Sequence, residues 1–135
     1  MAGSSNVLEL HGSVKRNYCM KCHRRFGIND MINFKKNNAD VPLCECGGII
    51  KPDVVLYEEG LDNGVIHGAI DAISNADVLI IGGTSLAVYP AASLIDYFEG
   101  RYLVVINMAP TPRDKQADLL ISQPIGKVFS QIQVR

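Results

Sequence analysis

Four cysteines carry the clearest chemistry in this 135-residue chain: Cys19, Cys22, Cys44 and Cys46 fall inside one 28-residue window, and none occurs elsewhere. Their spacing is C-x2-C, then 21 residues, then C-x-C. The first pair has the spacing of a zinc knuckle, in which two thiolates from one tight turn reach one tetrahedral ion. The second pair is shorter than the usual C-x2-C. Gly47 and Gly48, which follow it, give the backbone freedom to aim both sulfurs inward. A structural Zn2+ site is the reading this pattern favours over four reduced, partly buried thiols or a redox pair. Four thiolates fill the coordination sphere and leave no open position for catalysis. His23, beside Cys22, is an alternative fourth ligand.

Two further places carry polar groups suited to a ligand. Gly82-Gly83-Thr84-Ser85 follows a run of apolar residues, and Asn107 follows another. Glycines allow close backbone approach, hydroxyls can donate to phosphate or ribose, and an amide suits sugar hydroxyls. Ligands in open parallel sheets bind beyond the carboxyl ends of strands. Taken alone, Gly-Gly after a strand also fits a plain turn, and a lone Asn at a strand end also fits a cap.

The elements that must position these groups read as an α/β protein with an insertion. Val7–Leu10 is a short strand candidate. Residues 15–50 form the cysteine-bearing module, in which Asn29 caps a short helix carrying Met31, Ile32 and Phe34. Val54-Val55-Leu56-Tyr57 is a β-rich run. Val65, Ile66, Ala69, Ile70 and Ile73 recur at helical spacing over 64–74. Residues 78–81 form a continuous apolar run, as expected for a strand covered on both faces. Pro90 opens a helix at its first position, and Gly100 ends it. Residues 103–106 and 119–121 are further strands, and 126–133 a closing helix. Strand, helix, strand in alternation predicts a parallel sheet with right-handed crossovers.

Composition narrows the classes. Apolar residues make up 47% and charged residues 20%, which is globular rather than disordered. Thirteen basic residues against fourteen acidic ones give a net charge of -1, which argues against direct nucleic-acid binding by charge. No apolar run approaches the ~18 residues of a membrane span, and the first residues lack the pattern of a signal peptide. The expected compartment is cytoplasmic or nuclear, and without a secretory signal a disulfide framework is not expected.

Several short motifs occur here in one order: Leu8-Glu9-Leu10-His11-Gly12, the paired cysteines, Lys51-Pro52-Asp53-Val54-Val55, Gly83-Thr84-Ser85-Leu86, Val88-Tyr89-Pro90-Ala91-Ala92 and Ile106-Asn107. In this the chain resembles the sirtuins, NAD-dependent protein lysine deacylases, from Ala2 to about Ile132, and most of all the bacterial type, for which the expected compartment is the cytoplasm. The resemblance implies an α/β fold: part of a Rossmann-like parallel sheet (1–14 and 51–135) with an inserted small zinc-binding module (15–50). It implies that His11 is the catalytic general base. In the family's reaction the acyl oxygen of an acyl-lysine attacks the nicotinamide ribose and nicotinamide leaves. The histidine then helps a ribose hydroxyl attack, and water completes the release of lysine and O-acyl-ADP-ribose. A histidine, with an ordinary pKa of ~6.5, is able to take that proton near pH 7. Without the resemblance, His11 reads equally as a strand-end residue packed on the zinc module, and His67 reads as surface.

The resemblance also places substrate and NAD contacts. Val55 and Val88 match positions lining the acyl-lysine tunnel. Tyr57-Glu58-Glu59 matches a Phe-Gly-Glu pattern to which the substrate peptide adds as a strand. Glu58 in place of glycine restricts the backbone and adds negative charge, so basic residues flanking the acyl-lysine are the expected preference. Gly83, Thr84 and Ser85 match the NAD ribose and phosphate loop, Asn107 and Met108 the adenosine contact, and Lys127 a position under the adenine. The partners implied are NAD and an acylated protein or peptide, with no membrane. Two features depart from the pattern. The second cysteine pair is C-x-C, and the glycine-rich loop and Asn/Asp segment with which sirtuins begin have no counterpart. Loss of those first strands would expose a strand edge and an apolar face. The chain is therefore expected to be a fragment of a longer enzyme, with a split enzyme or a short, catalytically inactive peptide- or partner-binding module as the alternatives. Acyl specificity, protein substrates and oligomeric state are not legible.

Overall fold

The structure, a computed structural model, describes residues 3–36 and 40–133. They fall into two compact units, Met1–Val65 and Ile66–Arg135.

The first unit is built on strand β1 (Gly12–Cys19), which pairs antiparallel with β2 (Arg25–Gly27) on one side and β3 (Ile50–Val54) on the other, giving the order β2-β1-β3. The expected strand at Val7–Leu10 does not form. The chain turns there, with the Gly12 N–H donating to the Glu9 carbonyl at 2.9 Å, and pairing starts only beyond that turn. The β-rich run at 54–57 is also displaced, since β3 ends at Val54. Leu56–Glu59 is instead a turn closed by the Glu59 N–H on the Leu56 carbonyl at 3.1 Å. Pro52 lies within β3, which is tolerated because β3 is an edge strand and the ladder to β1 breaks between Ser13 and Asn17.

Helix α1 (Ile28–Lys36) forms where a helix is expected, but its first residue precedes Asn29. The cap is of another kind: Asp30 Oδ2 accepts the N–H of Gly27 at 2.8 Å, reaching back over the first turn. Met31 and Phe34 pack with Phe26 on a core of Cys19, Cys44 and Ile50, and Ile32 stays exposed. The Phe26 and Phe34 rings meet edge to face at 6.3 Å. This is a small core, and two of its three buried members are cysteines.

Gly12 has no substitute at the head of β1. Its φ is +75°, and a Cβ there would lie 1.9 Å from the Asp53 carbonyl oxygen on the paired strand. Gly12→Ala is expected to cost at least ~2 kcal/mol, combining left-handed strain with separation of β1 from β3. A denaturant midpoint equal to that of the unsubstituted protein would contradict this.

Helix α2 (Asn63–Ser74) forms over the predicted span, capped by Asp62, whose Oδ1 accepts the Val65 N–H at 2.9 Å. In the second unit β4 (Val78–Gly82), β5 (Tyr102–Ile106) and β6 (Leu119–Ile121) form a parallel sheet in the order β4-β5-β6, as the alternating pattern predicts. Leu103, Val105 and Ile106 are buried. Coverage of both faces is not observed: Val78 and Ile80 on β4, Tyr102 on β5 and Leu119 on β6 share one face and are exposed. After Pro90 the chain forms a 3-10 helix, Ala91–Tyr97, with Pro90 as its cap rather than its first residue. That helix ends at Tyr97 with Phe98 as its cap, not at Gly100. The closing helix α3 is one short piece, Ile125–Phe129. Among the described residues no helix is long and apolar enough to cross a membrane.

Candidate functional site

The four cysteine sulfurs lie within 4.8 Å of one another, and no other group of three or more possible ligands is found among the described residues. Cys19 closes β1, and Cys22 follows in the turn. The Cys19 carbonyl accepts the His23 N–H at 2.9 Å, and His23 itself adopts a φ of 59°. Cys44 and Cys46 sit in a second turn, where the Cys44 carbonyl accepts the Gly47 N–H and the Cys44 N–H donates to the Gly48 carbonyl, both at 2.8 Å. Gly48 is needed for close approach, since a Cβ there would stand 2.6 Å from Cys19 Sγ. The C-x-C pair thus joins the cluster, and His23 stays outside it.

Zinc–sulfur bonds of ~2.3 Å in tetrahedral geometry put sulfurs ~3.8 Å apart. Cys19 and Cys46 are 3.5 Å apart, and Cys22 and Cys44 are 3.7 Å apart. The residues therefore fit the ion. The electrostatics agree. The Cys22 N–H, with that of Lys21, points at Cys19 Sγ and draws its thiol down to about 6. The Arg24 N–H favours a thiolate at Cys22, but the crowded sulfurs of Cys46, Cys19 and Cys44 push that thiol up to about 12. One negative charge forms readily here and further ones are resisted, which is the condition a dication relieves.

His11 stands in the turn before β1, exposed, with its carbonyl accepting the Val55 N–H at 3.1 Å. That bond brings two of the expected site residues together. Tyr57 and Glu58 follow in the Leu56–Glu59 turn, both exposed. Glu58 has a φ of +70°, the conformation that a glycine takes freely and a side chain resists. This explains physically why a glycine suits the position and what Glu58 costs.

The turn is held by a pair to which residue type and spacing assign no role. Lys51 Nζ donates to Glu59 Oε2 and to the Val54 carbonyl, both at 2.8 Å, and Glu59 Oε2 also accepts the Leu56 N–H at 2.9 Å. Lys51 and Glu59 lie eight residues apart in a span already singled out, which was the available signal. The Lys51 donation, then that of Leu56, holds Glu59 below its ordinary 4.5, and the Glu59 carboxylate holds Lys51 above its ordinary 10.5. The tie is thus complete between these limits. It is lost as pH falls through the lowered carboxylate value or rises through the raised ammonium value.

The remaining expected residues gather at the carboxyl ends of the parallel strands. Gly83, Thr84 and Ser85 follow β4, and Asn107 and Met108 follow β5, with the Gly83 N–H donating to the Ile106 carbonyl at 3.3 Å. The Thr84 hydroxyl accepts the Leu86 N–H at 3.2 Å. The Asn107 amide donates to the Ala109 carbonyl at 2.8 Å, so it caps its own loop. Met108 and Val88 are exposed, and Lys127 lies on α3 just past β6. Arg113 clasps Asp96 through two bonds of 2.7 and 2.9 Å, tying the loop after β5 to the 3-10 helix that follows Val88. This clasp had no local signal in the sequence.

The model of the Sir2 family matches residues 1–90. An NAD-dependent protein deacetylase of Clostridium perfringens is 60% identical over 134 residues, covering 98% of this chain and 53% of that protein. One of Clostridium acetobutylicum is 56% identical over 133 residues, with the same shares covered. A solved Sir2–p53 peptide–NAD+ complex is 36% identical with a TM-score of 0.87, covering 96% of this chain and 55% of that one. A Sir2 structure bound to a propionylated peptide is 37% identical with a TM-score of 0.86 and covers the same shares. This chain spans about half the length of the curated relatives it matches.

Proposed function

This chain belongs to the Sir2 family, and on that premise we propose that it supplies the zinc module, the general base and part of the NAD and peptide contacts of a bacterial-type NAD-dependent protein lysine deacylase acting in the cytoplasm. The reaction releases nicotinamide, the deacylated lysine and O-acyl-ADP-ribose. Residues 15–50 serve as the zinc module, and 1–14 with 51–135 as the NAD-binding portion. NAD, when bound, supplies the ribose carbon that accepts the acyl oxygen. His11 takes a proton from a ribose hydroxyl. Val55 and Val88 flank the neutral acyl-lysine chain, and the backbone of Tyr57 and Glu58 pairs with the peptide. Gly83, Thr84 and Ser85 hold ribose and phosphate, Asn107 and Met108 face the adenosine, and Lys127 lies under the adenine. Cys19, Cys22, Cys44 and Cys46 hold zinc away from the chemistry.

The observation that carries this reading is the bond from the Val55 N–H to the His11 carbonyl, which keeps the base at the head of the peptide-docking segment. The test is nicotinamide release from NAD that depends on an acetyl-lysine peptide, measured on the full-length gene product and on this 135-residue chain. Release by the full-length product supports the reading. No release by the full-length product at high enzyme concentration overturns it in favour of a zinc-stabilised binding module, whereas no release by this chain alone excludes only its autonomous catalysis.

The same assay reads substrate preference. Glu58 is exposed, so its attraction for a basic flanking residue is worth no more than an exposed ion pair, ~0.2–1 kcal/mol, or up to about fivefold in KM. Peptides with Lys or Arg beside the acyl-lysine are expected to show the lower KM, and Glu58→Gly to remove the difference. Equal KM for basic and acidic peptides in the unsubstituted enzyme would refute this.

A further inference from the structure

Lys51 is 9% exposed. A buried ammonium persists only when paired and hydrogen-bonded. The Tyr18 ring lies 5.8 Å from its Nζ, and its hydrogen bonds go to Val54 and Glu59. Glu59 in turn holds Leu56. Every one of these hydrogen bonds ends on the last residue of β3 or on the segment that follows it. We infer that the Lys51–Glu59 pair is a positioning device, which sets the backbone of Val55–Glu58 so that its free groups face an incoming acyl-peptide. The inference rests on the reading of that segment as the peptide-docking strip.

Backbone accounting carries the argument. The Val54 carbonyl is taken by Lys51, the Val55 N–H by His11, the Leu56 N–H by the Glu59 carboxylate and the Leu56 carbonyl by the Glu59 N–H. Among the described residues the Val55 carbonyl, both backbone groups of Tyr57 and the Glu58 N–H hold no hydrogen bond. These are the groups a peptide strand would use. The pair itself takes the Val54 carbonyl and the Leu56 N–H, the His11 carbonyl and the Glu59 N–H take the other two, and the remaining groups stay open. It also opposes a strain. Glu58 sits at a φ of +70°, which a residue with a side chain abandons when it can. Without the Glu59 carboxylate on Leu56, one backbone bond of 3.1 Å would hold the turn against that relaxation.

The test uses the full-length gene product with Lys51→Met and Glu59→Ala. Both are expected to weaken binding of an acetyl-lysine peptide by about tenfold or more, with NAD affinity and zinc content unchanged. Both are expected to speed hydrogen exchange at the Leu56 amide by about tenfold without any peptide present. Glu59→Gln, which still accepts from both donors, is expected to restore most of the peptide affinity. Unchanged peptide affinity in folded Lys51→Met and Glu59→Ala overturns the inference, as does a parallel loss of NAD affinity and zinc. Unchanged Leu56 exchange in Glu59→Ala overturns it by a route that needs no activity. An unsubstituted protein that binds no acetyl-peptide overturns instead the docking reading on which the inference stands.

Discussion

Cys19→Ser is expected to release bound zinc and unfold the segment from β1 to β3. Before substitution, metal analysis is expected to give one zinc per chain. The expected effect is large because little else holds this segment. Its buried core is Cys19, Cys44 and Ile50, so two of three members belong to the cysteine cluster. Burying a whole aliphatic side chain contributes ~1.5–3 kcal/mol, whereas structural zinc contributes ~10–16 kcal/mol in small zinc-binding peptides. Cys19 is also the least replaceable sulfur: it is fully buried, ends the central strand and receives the Lys21 and Cys22 N–H groups. Chelation is expected to do the same reversibly. A thermal midpoint that neither Cys19→Ser nor a chelator moves would overturn the zinc assignment.

His11→Ala is expected to lower peptide-dependent deacylation by the full-length product about 10²–10⁴-fold, the usual worth of a positioned general base, while leaving the thermal midpoint nearly unchanged. The two readouts separate because His11 is held by its main chain. Its carbonyl carries the bond to Val55, and its exposed ring makes no hydrogen bond among the described residues. Removing the ring therefore removes chemistry and little packing. Deacylation retained within a fewfold of the unsubstituted enzyme would assign the proton transfer to another group. The contrast with Gly12→Ala is informative: one residue further on, the same alanine would meet the Asp53 carbonyl and cost stability first.

The sequence by itself determined whatever depends on residue type and near neighbours. The two cysteine pairs announced one sulfur cluster because two closely spaced pairs can supply the four ligands of a tetrahedral ion. Helix α2 and strands β4, β5 and β6 were legible because their apolar residues repeat at a helical period or form short unbroken runs. Tertiary structure decided what depends on a partner strand. Strand β1 has no alternation to announce it, since Val14, Lys15 and Arg16 all lie exposed where its ladder to β3 breaks. It is a strand because β2 and β3 take up its backbone groups, and its last residue is one of the four clustered cysteines. Pro52 hid β3 in the same way, because a proline is compatible with a strand only at an edge, and edges are not written locally. The need for glycine at position 12 and the clasp of Arg113 on Asp96 join residues distant in the chain, and the closure of Lys51 on Glu59 joins residues eight apart across a turn. Periodicity and spacing carry no information about such pairings; which backbone groups find each other is settled only when the strands pack.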